Sequence, residues 1–314
     1  MNPYAPDGSS LEEKTLIRLS KIIEAADRIG MVVIVSYFYG PMSRFLTSDN
    51  AVIHAVKTIS HYLRDKGYTN VIIEVANEHN ISAYALHPIL REEKGMVTLM
   101  DIARVESGGM LVGCSGTGDS FSSEIVKNSD VILIHCNDLT KTEFSCRIQQ
   151  CKQVKPHTPL VCNEDSAASS RLEVAFEQHV SWGYYNNMTK QEPPTDWSIT
   201  QGEDEVFATR VASYLGIHTA LQPEDYYLMG LTKKETVHNK RWIRLSVLHP
   251  EYVHRVDFYG NGVLLGSSYD EPYMLYPINT WKQDSLDTLH SSDEIQAVVT
   301  KIDGTKVSVT ATVE

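Results

Sequence analysis

The 314-residue sequence has no apolar run near the ~18 residues that cross a membrane. It has no basic block either, and its net charge of −12 is spread along the whole length. Nucleic acid is therefore not an expected partner, because phosphate neutralisation needs clustered Lys and Arg. The five cysteines, Cys114, Cys136, Cys146, Cys151 and Cys162, are odd in number and lack a short repeated spacing. That argues against a disulfide framework and against a zinc site. Twelve histidines include no His-x-x-x-His pair, so no metal is expected. GCSGTGDS, at 113–120, is glycine-rich but matches neither the P-loop nor the dinucleotide fingerprint. It reads as a flexible loop, and no cofactor is expected. MNPYAPDGSS at the N-terminus lacks the apolar core of a signal peptide. On that reading the protein is cytoplasmic or its leader lies outside this chain.

What remains is an ordinary globular composition, 42% hydrophobic and 22% charged. A neutral polymer or a small molecule suits such a chain as partner. An acidic surface also serves plain solubility. Two sequons, Asn80-Ile-Ser and Asn187-Met-Thr, fit N-glycosylation, a pattern common by chance.

The first two-thirds alternates helix and strand. Ser10-Leu-Glu-Glu13 predicts a capping box. Leu16, Leu19, Ile22, Ile23, Ala26 and Ile29 then recur at helical spacing up to Gly30. MVVIVSYFY (31–39) is a continuous strand of the kind covered on both faces. Helices follow at about 48–66, 81–106 with breaks near Pro88 and Gly95, 121–128, 139–154, 167–179 and 203–215. Strands are expected at 70–76, 110–113, 131–136, 159–163 and 180–185, the last leading into a long polar loop. Six strands between helices predict right-handed crossovers and a parallel sheet. After about residue 220 the segments become short, alternating and turn-bounded, with a hairpin turn at Gly260-Asn261-Gly262. The expected division is an αβ domain over 1–217 and a small antiparallel β-sandwich over 218–314.

Two apolar strands end in Asn-Glu: VIIEVANEHN places Glu78 after Asn77, and PLVCNED places Glu164 after Asn163. A strand tip is a costly place for a charge unless it is used or paired. Each carboxylate could merely cap the helix that follows or pair with a cation. Two such tips in one αβ chain suggest a shared polar rim, and a carboxylate pair across a cleft is what glycoside hydrolysis uses. Other strand ends carry Tyr37, His135, Asn137, Trp182 and Tyr184. Sugars present apolar C–H faces to aromatic rings, so these are candidate substrate contacts.

IIEVANEHN resembles the fourth-strand acid/base motif of clan A glycoside hydrolases, notably the cellulase-type family 5 and relatives. The resemblance covers about residues 10–215. It implies Glu78 as acid/base, Asn77 as a contact to the sugar beside the scissile bond, and Glu164 as nucleophile. It also implies His135 at the sixth-strand position and Trp182 as floor of the catalytic subsite. The fold implied is a TIM (β/α)8 barrel lacking its first two strands, so an incomplete barrel of about six. CNED departs from the Gly-Glu common in that clan. The tail, with VDFYGNGVLLGSSYDEPY, is similar to bacterial immunoglobulin-like modules found beside glycosidases.

The expected function is thus retaining hydrolysis of a β-linked, β-1,4-glucan-type plant polysaccharide. A non-catalytic carbohydrate-binding protein, or a fragment needing a missing N-terminus, are the alternatives. The apolar edge at MVVIVSYFY predicts a homodimer covering the open side. The resemblance implies a secreted or periplasmic enzyme.

Overall fold

A computed structural model describes residues 3–186, 198–236, 240–278, 283–286, 289–291 and 293–314. The chain forms two compact units. The first runs through Cys136 and again over Cys146–Asn163. The second holds Asn137–Ser145 and everything from Glu164 onward. The sequon at Asn187 and much of the polar loop after residue 185 lie outside the described residues.

The first unit contains α1 (Glu13–Arg28), β1 (Val33–Phe38), α2 (Gly40–Ser43), α3 (Asp49–Asp65) and β2 (Val71–Ala76). It continues with α4 (Pro88–Arg91), α5 (Glu93–Glu106), β3 (Leu111–Gly113), α6 (Ser123–Asn128) and β4 (Ile132–His135). Helix α7 (Lys141–Val154) and strand β5 (Leu160–Glu164) run across the boundary. β1, β2 and β3 form a parallel sheet in that order, with Val35 opposite Ile73 and Ile73 opposite Val112. Among the described residues the regular ladder stops at β3, and the next strand is tied in through the Asp130 and Val131 amides, which donate to the Val112 carbonyl, and the Val112 N–H, which donates to the Asp130 carboxylate at 3.1 Å. The parallel αβ arrangement expected from the sequence is present, without one continuous six-stranded ladder among these residues.

Residue parity sorts the faces of this sheet. Val35, Tyr37, Ile73 and Val75 share one side and pack into a core with Val52, Val56 and Leu63 of α3 and Met96, Leu99 and Met100 of α5. Ile34, Ser36 and Phe38 share the other side with Ile72, Glu74 and Ala76. Ser36 and Glu74 are two polar groups set in an otherwise apolar face, and a site can form around them.

The local signals act where expected in most places. Ser48 caps α3 by accepting the Ala51 N–H at 3.2 Å. Gly30 and Gly67 end α1 and α3 at φ 76° and 70°. Two readings are corrected. Ser10 caps nothing: α1 begins at Glu13 after an uncapped Glu12, because Leu11 is drawn into a bridge with Tyr4. Gly95 does not break the helix; it sits inside α5, where a Cβ would meet the Ile89 carbonyl oxygen at 2.5 Å.

The second unit contains α8 (Ser170–Glu177), β6 (Ser181–Trp182) and α9 (Glu203–Tyr214). The strand expected over 180–185 is only these two residues. Beyond them lie β7 (Tyr226–Met229), β8 (Arg244–Val247), β9 (Val253–Gly260), β10 (Val263–Ser268), β11 (Tyr273–Met274), β12 (Glu294–Lys301) and β13 (Lys306–Thr312). They make two antiparallel sheets, β11-β8-β7 and β10-β9-β12-β13, around one core that includes Leu245, Val247, Val256, Phe258, Ile295 and Val299. Asn261 and Gly262 turn the β9–β10 hairpin with φ 47° and 79°, the backbone a two-residue loop needs. Among the described residues no helix is long and apolar enough to cross a membrane.

Candidate active site

In the first unit, β1 and β2 are locked together at their C-terminal ends. The Asn77 amide donates to the Phe38 carbonyl at 3.0 Å. The buried Tyr84 hydroxyl bonds both the Phe38 and Asn77 carbonyls at 3.0 Å. Glu78 comes next, with φ 51°. The left-handed region costs a residue with a Cβ about 1–2 kcal/mol. Ser115 holds the turn: its hydroxyl accepts the Glu78 N–H at 3.1 Å, and its carbonyl accepts the His79 N–H at 3.0 Å. Strain of this kind persists only where the surroundings over-determine it, and it gathers at functional sites.

The Glu78 side chain is 25% exposed and lies 3.3 Å from Nδ1 of His135, whose ring is fully buried at the end of β4. With the proton on Nδ1, the ring donates a hydrogen bond to an ionised Glu78. Glu74, four residues earlier on β2, is 2% exposed, between Ile72 and Ala76 on the same face. Its carboxylate accepts the Ser36 hydroxyl and, at 3.4 Å, the amide of Asn163. Asn163 is the penultimate residue of β5, so the tip of that strand reaches β2.

A Glu78→Gly variant is expected to be about 1 kcal/mol more stable to urea unfolding than Glu78→Ala. Both lose the carboxylate, but only glycine takes φ 51° without a Cβ clash. Equal stabilities would show that the turn stores no strain.

In the second unit, Glu164 ends β5 and accepts the Asn137 side-chain amide at 2.8 Å. Asp165 follows, completely buried. It receives the Arg171 guanidinium and, at 2.7 Å, the indole N–H of Trp182. Arg171 also donates to the Leu139 carbonyl. Burial pushes the Asp165 carboxyl up to about 6, against the pull of Arg171, Trp182 and Ser166. Trp182 packs near Phe207 and Tyr184, and Tyr184 stacks on Phe207 at 4.2 Å. The Tyr184 hydroxyl donates to Asp204 at 2.6 Å and accepts from Asn186 at 2.8 Å. Asn186 also donates to Glu203, which the buried Arg244 holds at 2.8 Å. Burial raises the Tyr184 phenol, and the nearby Glu203 and Asp204 add to the rise.

The predicted residues therefore fall into groups. Glu78 meets His135, and Glu164 meets Asn137. Trp182 and Tyr184 share one aromatic cluster. Tyr37 joins none of them. It is 5% exposed on the helix-facing side of β1, and its hydroxyl bonds Ser60 of α3 at 3.0 Å. Asn77 contributes through its backbone.

Ser115, Tyr84 and the Asp165–Arg171 pair carry the site without having been singled out. The 113–120 segment is not a free loop: Thr117 accepts from the Asn80 amide at 2.8 Å and returns its own N–H at 2.9 Å. That engagement also occupies the side chain a glycan would need at the Asn80 sequon. Glu78, His135 and Glu164 carry donor atoms of types that hold divalent metals. The same types serve acid–base chemistry.

No protein-family model matches the sequence, and no curated protein does. Among solved structures, a β-glucuronidase from Bacteroides uniformis overlaps at TM-score 0.44 and 12% identity, over 93% of this chain and 40% of that one. A β-glucuronidase from Parabacteroides merdae gives 0.42 and 13%, over 94% and 42%. One from an uncultured Clostridium sp. gives 0.36 and 12%, over 54% and 35%. The chain spans about two-fifths of the length of the first two enzymes. Overlap of this degree decides neither fold nor chemistry, which rest on this chain's own residues.

Proposed function

We propose that this chain is a retaining β-glycosidase in which Glu164 is the nucleophile and Glu78 the acid/base. One observation carries the reading. Each carboxylate at the end of an apolar strand has its own polar partner: His135, the last residue of β4, lies 3.3 Å from Glu78, and Asn137, in the turn that follows, donates to Glu164 at 2.8 Å. The strained backbone of Glu78 supports a functional role for that residue.

In the proposed reaction a Glu164 oxygen bonds to the anomeric carbon as the glycosidic C–O bond breaks. The leaving oxygen takes the proton of Glu78. Water then gives a proton to the Glu78 carboxylate and its oxygen to the anomeric carbon, which releases Glu164. This route needs the carboxyls ~5–5.5 Å apart. The Asn137 amide on Glu164 steadies the attacking carboxylate, and His135 orients Glu78. No cofactor or metal takes part.

The family resemblance points to a β-1,4-linked glucan or related plant polysaccharide as substrate, and to secretion or a periplasmic place. On the same reading the β-domain is an immunoglobulin-like support module. A homodimer is part of the proposal: Ile22, Ile29, Met31 and Val32, on α1 and at the entry to β1, are each more than half exposed. Val32→Glu should shift an associated species to monomer in light scattering. A wild-type monomer at every concentration removes the dimer from the proposal.

The function is tested by following hydrolysis of aryl β-glycosides and β-glucans by proton NMR. Retention requires that the first anomer released be β. Release of the α anomer first, or no release from any β-glycan, sinks the assignment.

A further inference from the structure

Within the second unit a cavity of about 270 Å³ opens among the start of α7, the N-terminal turn of α8 and the loops entering β9 and β11. Neither Glu78 nor Glu164 lines it.

Most polar groups on its wall are already committed. Glu271 accepts the Ser169 N–H and hydroxyl at 2.7 Å and the Ser170 N–H at 2.9 Å. Arg171 is held by Asp165 and Leu139. Glu251 pairs with Arg210 and His249. The Tyr273 hydroxyl donates to the Pro250 carbonyl at 3.4 Å.

What stays open is a small and specific set. The Asp270 carboxylate and the Ser170 hydroxyl make no side-chain hydrogen bond among the described residues. Lys141 is half exposed and spends one donor on Glu173 at 3.3 Å. Tyr269, 58% exposed, also lines the cavity; the His254 ring meets its ring edge-on at 6.4 Å and Arg255 engages its hydroxyl, which leaves the rest of the ring to the cavity side.

We infer that this cavity binds a single neutral pyranose ring, at a site separate from the proposed catalytic one. The apolar C–H face of a pyranose fits the Tyr269 ring. Its hydroxyls donate to Asp270 and accept from Lys141 and Ser170. An anionic sugar is disfavoured, because three carboxylates, on Glu251, Asp270 and Glu271, line the cavity against two cations, Lys141 and Arg171. The inference draws its sugar from the wall chemistry and does not depend on the catalytic roles of Glu78 and Glu164.

The test is an amide chemical-shift titration of the full chain with cellobiose, and with glucuronate as the anionic counterpart. The Glu78→Gln/Glu164→Gln double variant is used so that nothing is consumed. Cellobiose should move the Ser170, Tyr269 and Asp270 amides saturably, and Tyr269→Ala should weaken that binding about tenfold. Turnover of an aryl glycoside by Tyr269→Ala in the otherwise wild-type chain should be unchanged. Three results overturn the site: no movement of those amides, the same affinity in Tyr269→Ala, or tighter binding of glucuronate than of cellobiose. A protein that hydrolyses no glycoside yet shows the Tyr269-dependent titration loses the catalytic reading and keeps this one.

Discussion

Glu164→Gln should remove turnover of every β-glycoside to the same low background, whatever the leaving group. The amide cannot form the glycosyl ester, so the covalent route is gone for all substrates alike. Glu78→Gln should behave differently. With a poor leaving group such as a second sugar, the lost proton costs about 10²–10⁴-fold in kcat/KM. With dinitrophenolate, which departs without a proton, cleavage should stay near wild type. The second step should then slow, because Glu78 no longer activates water. A burst of dinitrophenolate followed by a slow phase is the signature. If the two variants show the same dependence on leaving group, the roles are wrongly assigned. If both keep full rate, neither residue is catalytic.

The second large effect is on stability. Arg171→Met should destabilise the protein by about 3–5 kcal/mol at pH 8, because the fully buried Asp165 loses its counter-charge. The pH dependence identifies the cause. In the wild type the Asp165 carboxyl is raised above its usual value to about 6. The folded chain therefore keeps a proton that the unfolded chain has released. This contribution to stability is complete below the ordinary carboxylate range and is lost as pH rises through about 6. Without Arg171 the neutral form is favoured further. The deficit of the variant should then be large at pH 8 and smaller at pH 5, as read by urea unfolding. Asp165→Asn in the Arg171→Met background should recover part of the loss at pH 8. A deficit equal at both pH values would point to lost packing by the arginine stem instead.

Much of the fold was legible because its signals are local. Ser48, Gly30 and Gly67 act on neighbours within one turn, and the β-branched runs of β1 and β2 identify themselves. The misreadings are tertiary. Leu11 bridges Tyr4 across the N-terminal turn and takes the chain away from a Ser10 cap. Gly95 answers to the backbone of Ile89 rather than to its own helix.

The site divides along the same line. Glu78 and Glu164 stand out because a charge ending an apolar strand is locally odd. Tyr37 also ends an apolar strand, but its parity sends it to the helices, and Val35, two residues before it, already lies on that side. Nothing near Asp165 in the sequence marks Arg171 as its partner. Ser115 looked like part of a flexible segment because the turn it secures belongs to a different stretch of chain.

His135 ends β4 and Asn137 stands in the turn two residues on, and that short stretch sets what kinds of change the protein can absorb. Substituting Asn137 removes the amide donated to Glu164, and substituting His135 removes the buried ring beside Glu78. Losing or gaining a single residue anywhere in Ile132–Ile134 would instead send His135 to the opposite face of the strand and displace the turn that carries Asn137, so both side chains would be lost together. Descent in this protein should therefore tolerate point replacements here more readily than any change in the length of β4.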